Sequence, residues 1–368
     1  TKFPPYLTED DFKLAASLPT TTENINITQY YLKDDQIRSA LDSARWPNGV
    51  VHYILDEHLT EHERAEVAKA FNDYQVKTCI RFVPRQNNEQ AFVRIIRDDT
   101  TCGLAIVCRT GNEQWAKFGG GCITSAVMVH ELGHTLCFGH EQTRFDRDDY
   151  ISYRPGCNPD GKDNNHETSR ELFYDYLSSQ HYNNDGCYEA KLPGITTWGG
   201  DGGLSVLDIN KVNSYYECGG CLSYRWKPYA KVDASTMIAG GKEYTGEQQY
   251  ICRVYHNGDI IPGKGRPNHG CWVGYNGVEY HHTDNYEMLT DPSRSNSYVW
   301  RQDDNQPSNA IAGGRDSSRS TLYISKCHLQ LHGYNLQLSG KFHNGKAYAT
   351  FGFVEYTCPP GSYEILVC

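Results

Sequence analysis

The segment His130-Glu131-Leu132-Gly133-His134-Thr135-Leu136-Cys137-Phe138-Gly139-His140 restricts this chain more than any other stretch. Residues four apart share one helical face, so on a helix His130 and His134 point at a common ion. Glu131 lies on the adjoining turn, within reach of a water held by that ion. His140 is six residues beyond His134 and cannot share the face of a continued helix. The chain must therefore turn back. Ile123, Ala126, Val127 and Val129 supply the buried helix that the spacing needs. Three neutral imidazoles leave a fourth position open, which marks a catalytic zinc site rather than a structural one. Zinc lowers the pKa of bound water to about 7, and Glu131 can then take its proton. The bland alternative is a helix with unrelated surface histidines. His281-His282 and the other histidines have no ligand spacing.

Around this motif the chain reads as α/β. Val50–Leu55 is a strand by its β-branched and aromatic content. Thr60-Glu61-His62-Glu63 is a capping box, and Val67, Ala70, Phe71 and Tyr74 behind it fall on one helical face. Strands follow at Ile80–Val83 and Phe92–Ile96, and a helix starts near Thr124 after Gly119-Gly120-Gly121. A further helix is expected near Glu167–Leu177. Residues 1–38 are polar and weakly periodic and read as an extended leader.

From Tyr224 onward short apolar runs alternate with Gly, Asn and Pro, an all-β signature. This part repeats. Tyr224-Arg225-Trp226-Lys227 returns as Tyr298-Val299-Trp300-Arg301, and Ile238-Ala239-Gly240-Gly241-Lys242 as Ile311-Ala312-Gly313-Gly314-Arg315. Gly263-Lys264 returns as Gly340-Lys341, and Asn285–Leu289 as Ser362–Leu366. Two copies imply two pseudo-symmetric units, about 224–290 and 298–368; they are too few for a solenoid.

The chain has 368 residues and 14 cysteines. An even count with a single Cys-x-x-Cys pair, Cys218 and Cys221, favours disulfides and an oxidising, extracellular setting over thiol-bound metal. The sequon Asn26-Ile27-Thr28 agrees with secretion and glycosylation. Net charge is −10, which disfavours nucleic acid as a partner. No apolar run is long enough for a membrane span.

The stretch His130–Tyr150 resembles the active-site region of the astacin family, within the metzincin clan. Arg45–Val51 resembles the start of an astacin catalytic domain. Cys79–Pro84 resembles its first strand, and Leu204–Ile209 with Asn213, Tyr216 and Cys218 its C-terminal helix. The resemblance covers about residues 39–221. It implies a zinc endopeptidase acting on proteins or peptides, with His130, His134 and His140 as ligands and Glu131 as base. It also implies Cys79–Cys218 and Cys102–Cys122 disulfides. Cys108 with Cys137 and Cys157 with Cys187 are the expected extra pairs. Ser178-Ser179-Gln180-His181-Tyr182 resembles the family's Ser-x-Met-His-Tyr turn, which implies a transition-state role for Tyr182.

Two positions depart from the family. Cys137 stands where the family has the glycine that lets the helix turn toward the third histidine. A disulfide could hold that turn, or the turn could shift toward Gly139. Gln180 replaces the methionine beneath the metal, and a buried Gln needs partners. The family's latency motif is absent. Asp35 is the candidate latency aspartate. Cleavage after Arg38 would expose Ser39, whose amino group Glu141 is expected to anchor.

Tyr250–Lys264 resembles the DM-nine repeat of mannose-binding lectins and natterin-like proteins. That resemblance implies mannose-type glycan contacts at Lys264 and Lys341, with Glu243 and Asp316 as the acidic partners. The expected architecture is a leader over 1–38, an α/β (α+β) astacin-like protease domain over 39–221 and an all-β lectin-like domain over 222–368. The alternative is a glycan-binding protein whose protease domain is inactive or structural.

Overall fold

A computed structural model describes residues 3–19, 45–157 and 172–368, apart from 87, 120, 201, 296 and 303–304. The chain forms two compact units: Thr1–Lys191 with Thr197–Cys218, and Leu192–Thr196 with Gly219–Cys368.

The first unit is built on a five-stranded sheet. Its strands are β1 (Val50–Leu55), β2 (Arg81–Pro84), β3 (Phe92–Arg97), β4 (Gly103–Ala105) and β5 (Glu113–Phe118), in the order β2-β1-β3-β5-β4. All neighbours are parallel except β4, which runs against β5. β6 (Ile151–Tyr153) and β7 (Tyr188–Ala190) form a separate pair. Helix α1 spans Glu9–Ser17, α2 Glu61–Lys77, α3 Ser125–Thr135 and α4 Val206–Tyr215. The capping box at α2 forms, with the Glu63 N–H donating to Thr60 Oγ1 and the Thr60 N–H to the Glu63 carboxylate. Trp46, Val51, Phe71, Tyr74, Phe118 and Leu136 share the core between sheet and helices.

The extended conformation expected for residues 1–38 needs correction over its described part. Residues 9–17 are helical, started by a Thr8/Asp11 capping box. Leu7 and Ala15 join the core, and the Leu55 N–H donates to the Pro5 carbonyl. Asp11 makes a two-toothed ion pair with Arg64, both almost fully buried. Weak periodicity hid this helix because it buries so few apolar side chains. The helix expected at Glu167–Leu177 is absent over its described part, since Leu172–Leu177 contains no helix. There Tyr174 and Tyr176 are buried as parts of an aromatic cluster, which imitates helical spacing.

The second unit is one 14-stranded antiparallel sheet. The first repeat supplies β8 (Arg225–Pro228), β9 (Ala239–Lys242), β10 (Gln248–His256), β11 (Asp259–Arg266), β12 (Gly270–Tyr275), β13 (Val278–His282) and β14 (Tyr286–Thr290). The second supplies β15 (Val299–Arg301), β16 (Ala312–Arg315), β17 (Thr321–Leu331), β18 (Tyr334–His343), β19 (Lys346–Phe351), β20 (Val354–Thr357) and β21 (Tyr363–Val367). The repeats meet through single residue pairs, β9 with β18, β16 with β11 and β13 with β20, while each of these strands also pairs within its own repeat. Close approach at two of these bridges explains the doubled glycines. A Cβ on Gly241 would lie 2.1 Å from the Gln337 carbonyl oxygen, and one on Gly314 2.0 Å from that of Ile260.

Both repeats set a matching ion pair beside a tryptophan, buried in the first and partly exposed in the second. Arg253 pairs with Glu287 at 2.6 Å and stacks on Trp226; Lys326 pairs with Glu364 at 2.7 Å over Trp300. The hairpins differ in length. From Ile251↔Lys264 to its tip, β10–β11 has six residue pairs, whereas β17–β18 has eight from Ile324↔Lys341. Two added pairs account for the drift in repeat spacing from 73 to 77 residues.

Candidate metal centre

Helix α3 starts at Thr124, whose hydroxyl accepts from the Val127 N–H, and carries His130 and His134 on one face. The helix ends in a Schellman turn: the Phe138 N–H donates to Gly133 O and the Cys137 N–H to His134 O. Cys137 takes the left-handed conformation itself, at φ 79°, so the turn does not shift to Gly139. Cys137 is bonded to Cys108, which is also left-handed at φ 63° and whose N–H donates to His134 O. The disulfide thus replaces glycine as the device that holds the turn. A non-glycine residue there costs about 1–2 kcal/mol, and a bridge closing a loop of this size contributes about 3 kcal/mol. The double variant Cys108→Ser/Cys137→Gly is therefore expected to lose about 1–2 kcal/mol in urea unfolding. Cys108→Ser/Cys137→Ser, which keeps the strain, should lose about 3 kcal/mol.

The turn brings His140 back. The Nε2 atoms of His130, His134 and His140 lie 3.1–3.2 Å from one another. Tetrahedral zinc with Zn–N bonds of about 2.0–2.1 Å sets its ligands about 3.3–3.4 Å apart, so the triad fits that ion. It is the one converging group of three or more such side chains among the described residues. The second ring nitrogens are already used. His130 Nδ1 faces Ser179 O and His134 Nδ1 faces Phe138 O, each at 2.7 Å. That leaves both Nε2 atoms for the ion. Burial pushes His130 down to about 4, so its ring is neutral at neutral pH, the form that binds metal.

Glu131 is almost fully buried. Burial pushes its carboxyl up to about 8, opposed by a hydrogen bond from the Ala105 backbone. Strand β4 presses close: a Cβ on Gly103 would sit 2.7 Å from Glu131 Oε1. The Tyr182 ring lies 4.4 Å from that of His140, on the ligand side. Tyr182 is positioned by its own N–H, which donates to Gln142 Oε1, and by His181, whose Nε2 meets the Tyr174 hydroxyl at 2.7 Å.

The loop 178–182 clamps the centre. Gln180 donates from Nε2 to the His130 carbonyl at 2.9 Å, and its own carbonyl accepts from the Glu141 N–H. Gln180 Oε1 is buried without a protein partner. A Cβ on Gly133 would come within 2.2 Å of Gln180 Nε2, so a larger residue there would displace the Gln180 amide. Helix α4 holds the loop: Asp208 accepts from the Ser178 hydroxyl at 2.6 Å and from the Ser179 N–H at 2.8 Å. Gln180→Met exchanges one hydrogen bond and one orphaned oxygen for an apolar chain of similar size. Its unfolding free energy is expected to stay within about 1 kcal/mol of wild type, with peptidase activity retained.

Glu141 follows the third ligand and is buried. Its Oε2 meets Lys211 Nζ at 2.5 Å, and its Oε1 accepts from Arg144 Nη1 at 2.8 Å and from the Asp175 N–H at 2.9 Å. The carboxylate expected to anchor a new amino terminus is therefore occupied by cations of the chain itself. Lys211 was not legible as a site residue. Its only signal was that a buried Glu141 needs a cation. Asn26, Asp35, Arg38 and Ser39 lie outside the described residues. All 14 cysteines are paired: Cys79–Cys218, Cys102–Cys122, Cys108–Cys137, Cys157–Cys187, Cys221–Cys368, Cys252–Cys271 and Cys327–Cys358.

The sequence profile of the Astacin peptidase family matches residues 39–217. This domain belongs to the astacin family. The DM9 repeat profile matches residues 243–356. The chain is 32% identical over 249 residues to zinc metalloproteinase nas-8 of Steinernema carpocapsae, covering 58% of this chain and 59% of that protein. It is 36% identical over 186 residues to zinc metalloproteinase nas-7 of Caenorhabditis elegans, covering 47% and 48%. Among solved structures, it is similar to high choriolytic enzyme 1, a hatching enzyme zinc-protease from Oryzias latipes. That likeness has 31% identity and a TM-score of 0.43, over 50% of this chain and 98% of that one. The chain spans about half the length of the curated relatives it matches. The astacin domain thus carries the zinc triad on α3 and the turn that follows it.

In the DM9 region the four expected sugar contacts are not equally placed. Lys264 is only 3% exposed, with Nζ 2.8 Å from Glu243 Oε1 and 3.0 Å from Glu279 Oε1. Lys341 pairs with Glu355 at 2.9 Å and donates to the Gly274 carbonyl. Asp316 faces His343 at 3.2 Å. Glu279 and Glu355, which hold the two lysines, occupy equivalent positions in the repeats and were not anticipated.

Proposed function

We propose that this protein is a zinc-dependent endopeptidase that hydrolyses internal peptide bonds of protein substrates. The convergence of three Nε2 atoms beside Glu131 carries this reading. Zinc, when bound, supplies a Lewis acid that polarises the scissile carbonyl and acidifies water. Glu131 takes the proton of the attacking water and returns it to the leaving amine. Tyr182, beside His140, donates its hydroxyl to the developing oxyanion. Removal of metal by 1,10-phenanthroline should abolish cleavage of casein, and added zinc should restore it. Cleavage that persists in the metal-free protein would refute the proposal.

The proposed division of labour is a catalytic module over 39–221 and a glycan-binding module over 222–368 that brings the enzyme to sugar-bearing targets. The paired lysines and carboxylates suit vicinal hydroxyls. Seven disulfides favour a secreted protein. No described helix is long and apolar enough to cross a membrane. Removal of residues 1–38 by cleavage after Arg38, with Asp35 as the latency group, belongs to the same proposal. Intact-mass measurement showing those residues still covalently attached in the active form would remove that part.

A further inference from the structure

The glycan reading above assigns both repeats a site, but the two are not built alike. Beside the first, Tyr244 is 54% exposed and Tyr334 45% exposed, with ring centroids 4.9 Å apart. Phe351 lies 6.2 Å from Tyr244, and Lys264 Nζ stands 5.5 Å from the Phe351 ring. The rings therefore adjoin the Lys264–Glu243 network, whose rim is Glu243 paired with Arg266 at 2.7 Å. Core packing gives no reason for two tyrosines to stay half in water. Exposed aromatic clusters with a polar rim mark binding surfaces.

The asymmetry has a structural origin. Tyr244 follows β9, which pairs with β18 of the other repeat through Lys242 and Gln337. Tyr334 stands in the two-pair extension of the β17–β18 hairpin, which the shorter β10–β11 hairpin lacks. The position equivalent to Tyr244 in the second repeat is Ser317. The second site thus has neither ring.

We propose that the first repeat's site is the principal sugar site and that Tyr244 and Tyr334 form its platform. Its ligand is a hexopyranose with vicinal hydroxyls. The apolar C–H face of the sugar stacks on the rings, and its hydroxyls reach Glu243 and Arg266. Lys264 is too buried to be the main contact; it holds Glu243 and Glu279 in place. This inference rests on the glycan-binding reading.

The test uses the full chain, methyl α-mannopyranoside in titration calorimetry and a mannose-terminated glycan array. Tyr244→Ala and Tyr334→Ala should each weaken binding about tenfold with unchanged melting temperature. Tyr244→Phe should bind as wild type, because the ring and not the hydroxyl makes the contact. Ser317→Ala, at the position equivalent to Tyr244 in the second repeat, should leave the tighter binding unchanged. Wild-type binding by both tyrosine-to-alanine variants, with loss in Lys341→Ala, would overturn the inference and leave the lectin reading standing. Failure of the intact chain to bind any glycan would overturn both.

Discussion

Glu131→Gln is expected to lower kcat/KM on an internally quenched peptide by about 10²–10⁴-fold while zinc content stays at the wild-type level. The reasoning is local. Glu131 is not a ligand, so the three imidazoles still hold the ion, but amide nitrogen cannot accept the water's proton. Loss of zinc together with activity would instead mean that Glu131 supports the ligands. The same variant separates a pH effect. In the chelated protein the Glu131 pKa is raised by burial to about 8 from an ordinary 4.5. Its contribution to stability is therefore fully present below about pH 4.5 and lost as pH rises through about 8. The difference in melting temperature between wild type and Glu131→Gln should shift in favour of the variant across that window. No trend between those limits would contradict the buried-carboxyl account. A bound cation opposes the rise, so the trend should shrink when zinc is restored.

Lys211→Met should be the most damaging single change away from the metal. It removes the ammonium from Glu141 Oε2 and leaves a buried carboxylate with Arg144 as its remaining cationic partner. Breaking a buried pair from one side costs about 3–5 kcal/mol. Glu141 directly follows His140, so the third ligand should loosen as well. The expected result is a large drop in urea midpoint and weaker zinc retention on dialysis. The double variant Lys211→Met/Glu141→Gln should recover part of the stability, because the stranded charge is gone. If the single and double variants are equally unstable, Lys211 acts through packing and not through Glu141.

The zinc ligands were legible because chemistry fixes their spacing on a helix. The β units were legible because strands and turns repeat in the sequence. What lay hidden depended on distant neighbours. Cys137 and Gln180 looked like defects against a family pattern. Each has a partner far along the chain: Cys108 holds the left-handed turn, and the His130 carbonyl takes the Gln180 amide. Glu141 suggested an external amino group, since nothing near it in sequence announces Lys211. Helix α1 was missed because its anchor is an ion pair, Asp11 with Arg64, which apolar periodicity does not register. Lys264 and Lys341, expected to contact sugar, stand in strands and are paired with Glu279 and Glu355. Those carboxylates come from other strands of the sheet, which local sequence does not reveal.

The bridges between the repeats shape how the C-terminal half can assemble. Strand β9 bridges to β18 nearly a hundred residues later, β16 bridges back to β11, and β13 bridges to β20. Each repeat pairs its own strands, and these bridges join the two ladders into one sheet. The joint sheet is closed at three places, and contacts so remote in sequence slow folding. A repeat of this kind cannot be added or dropped like a bead on a string. Any lengthening in this architecture has to occur within a hairpin, as it has at β17–β18, where it reshapes the surface and leaves the closure intact.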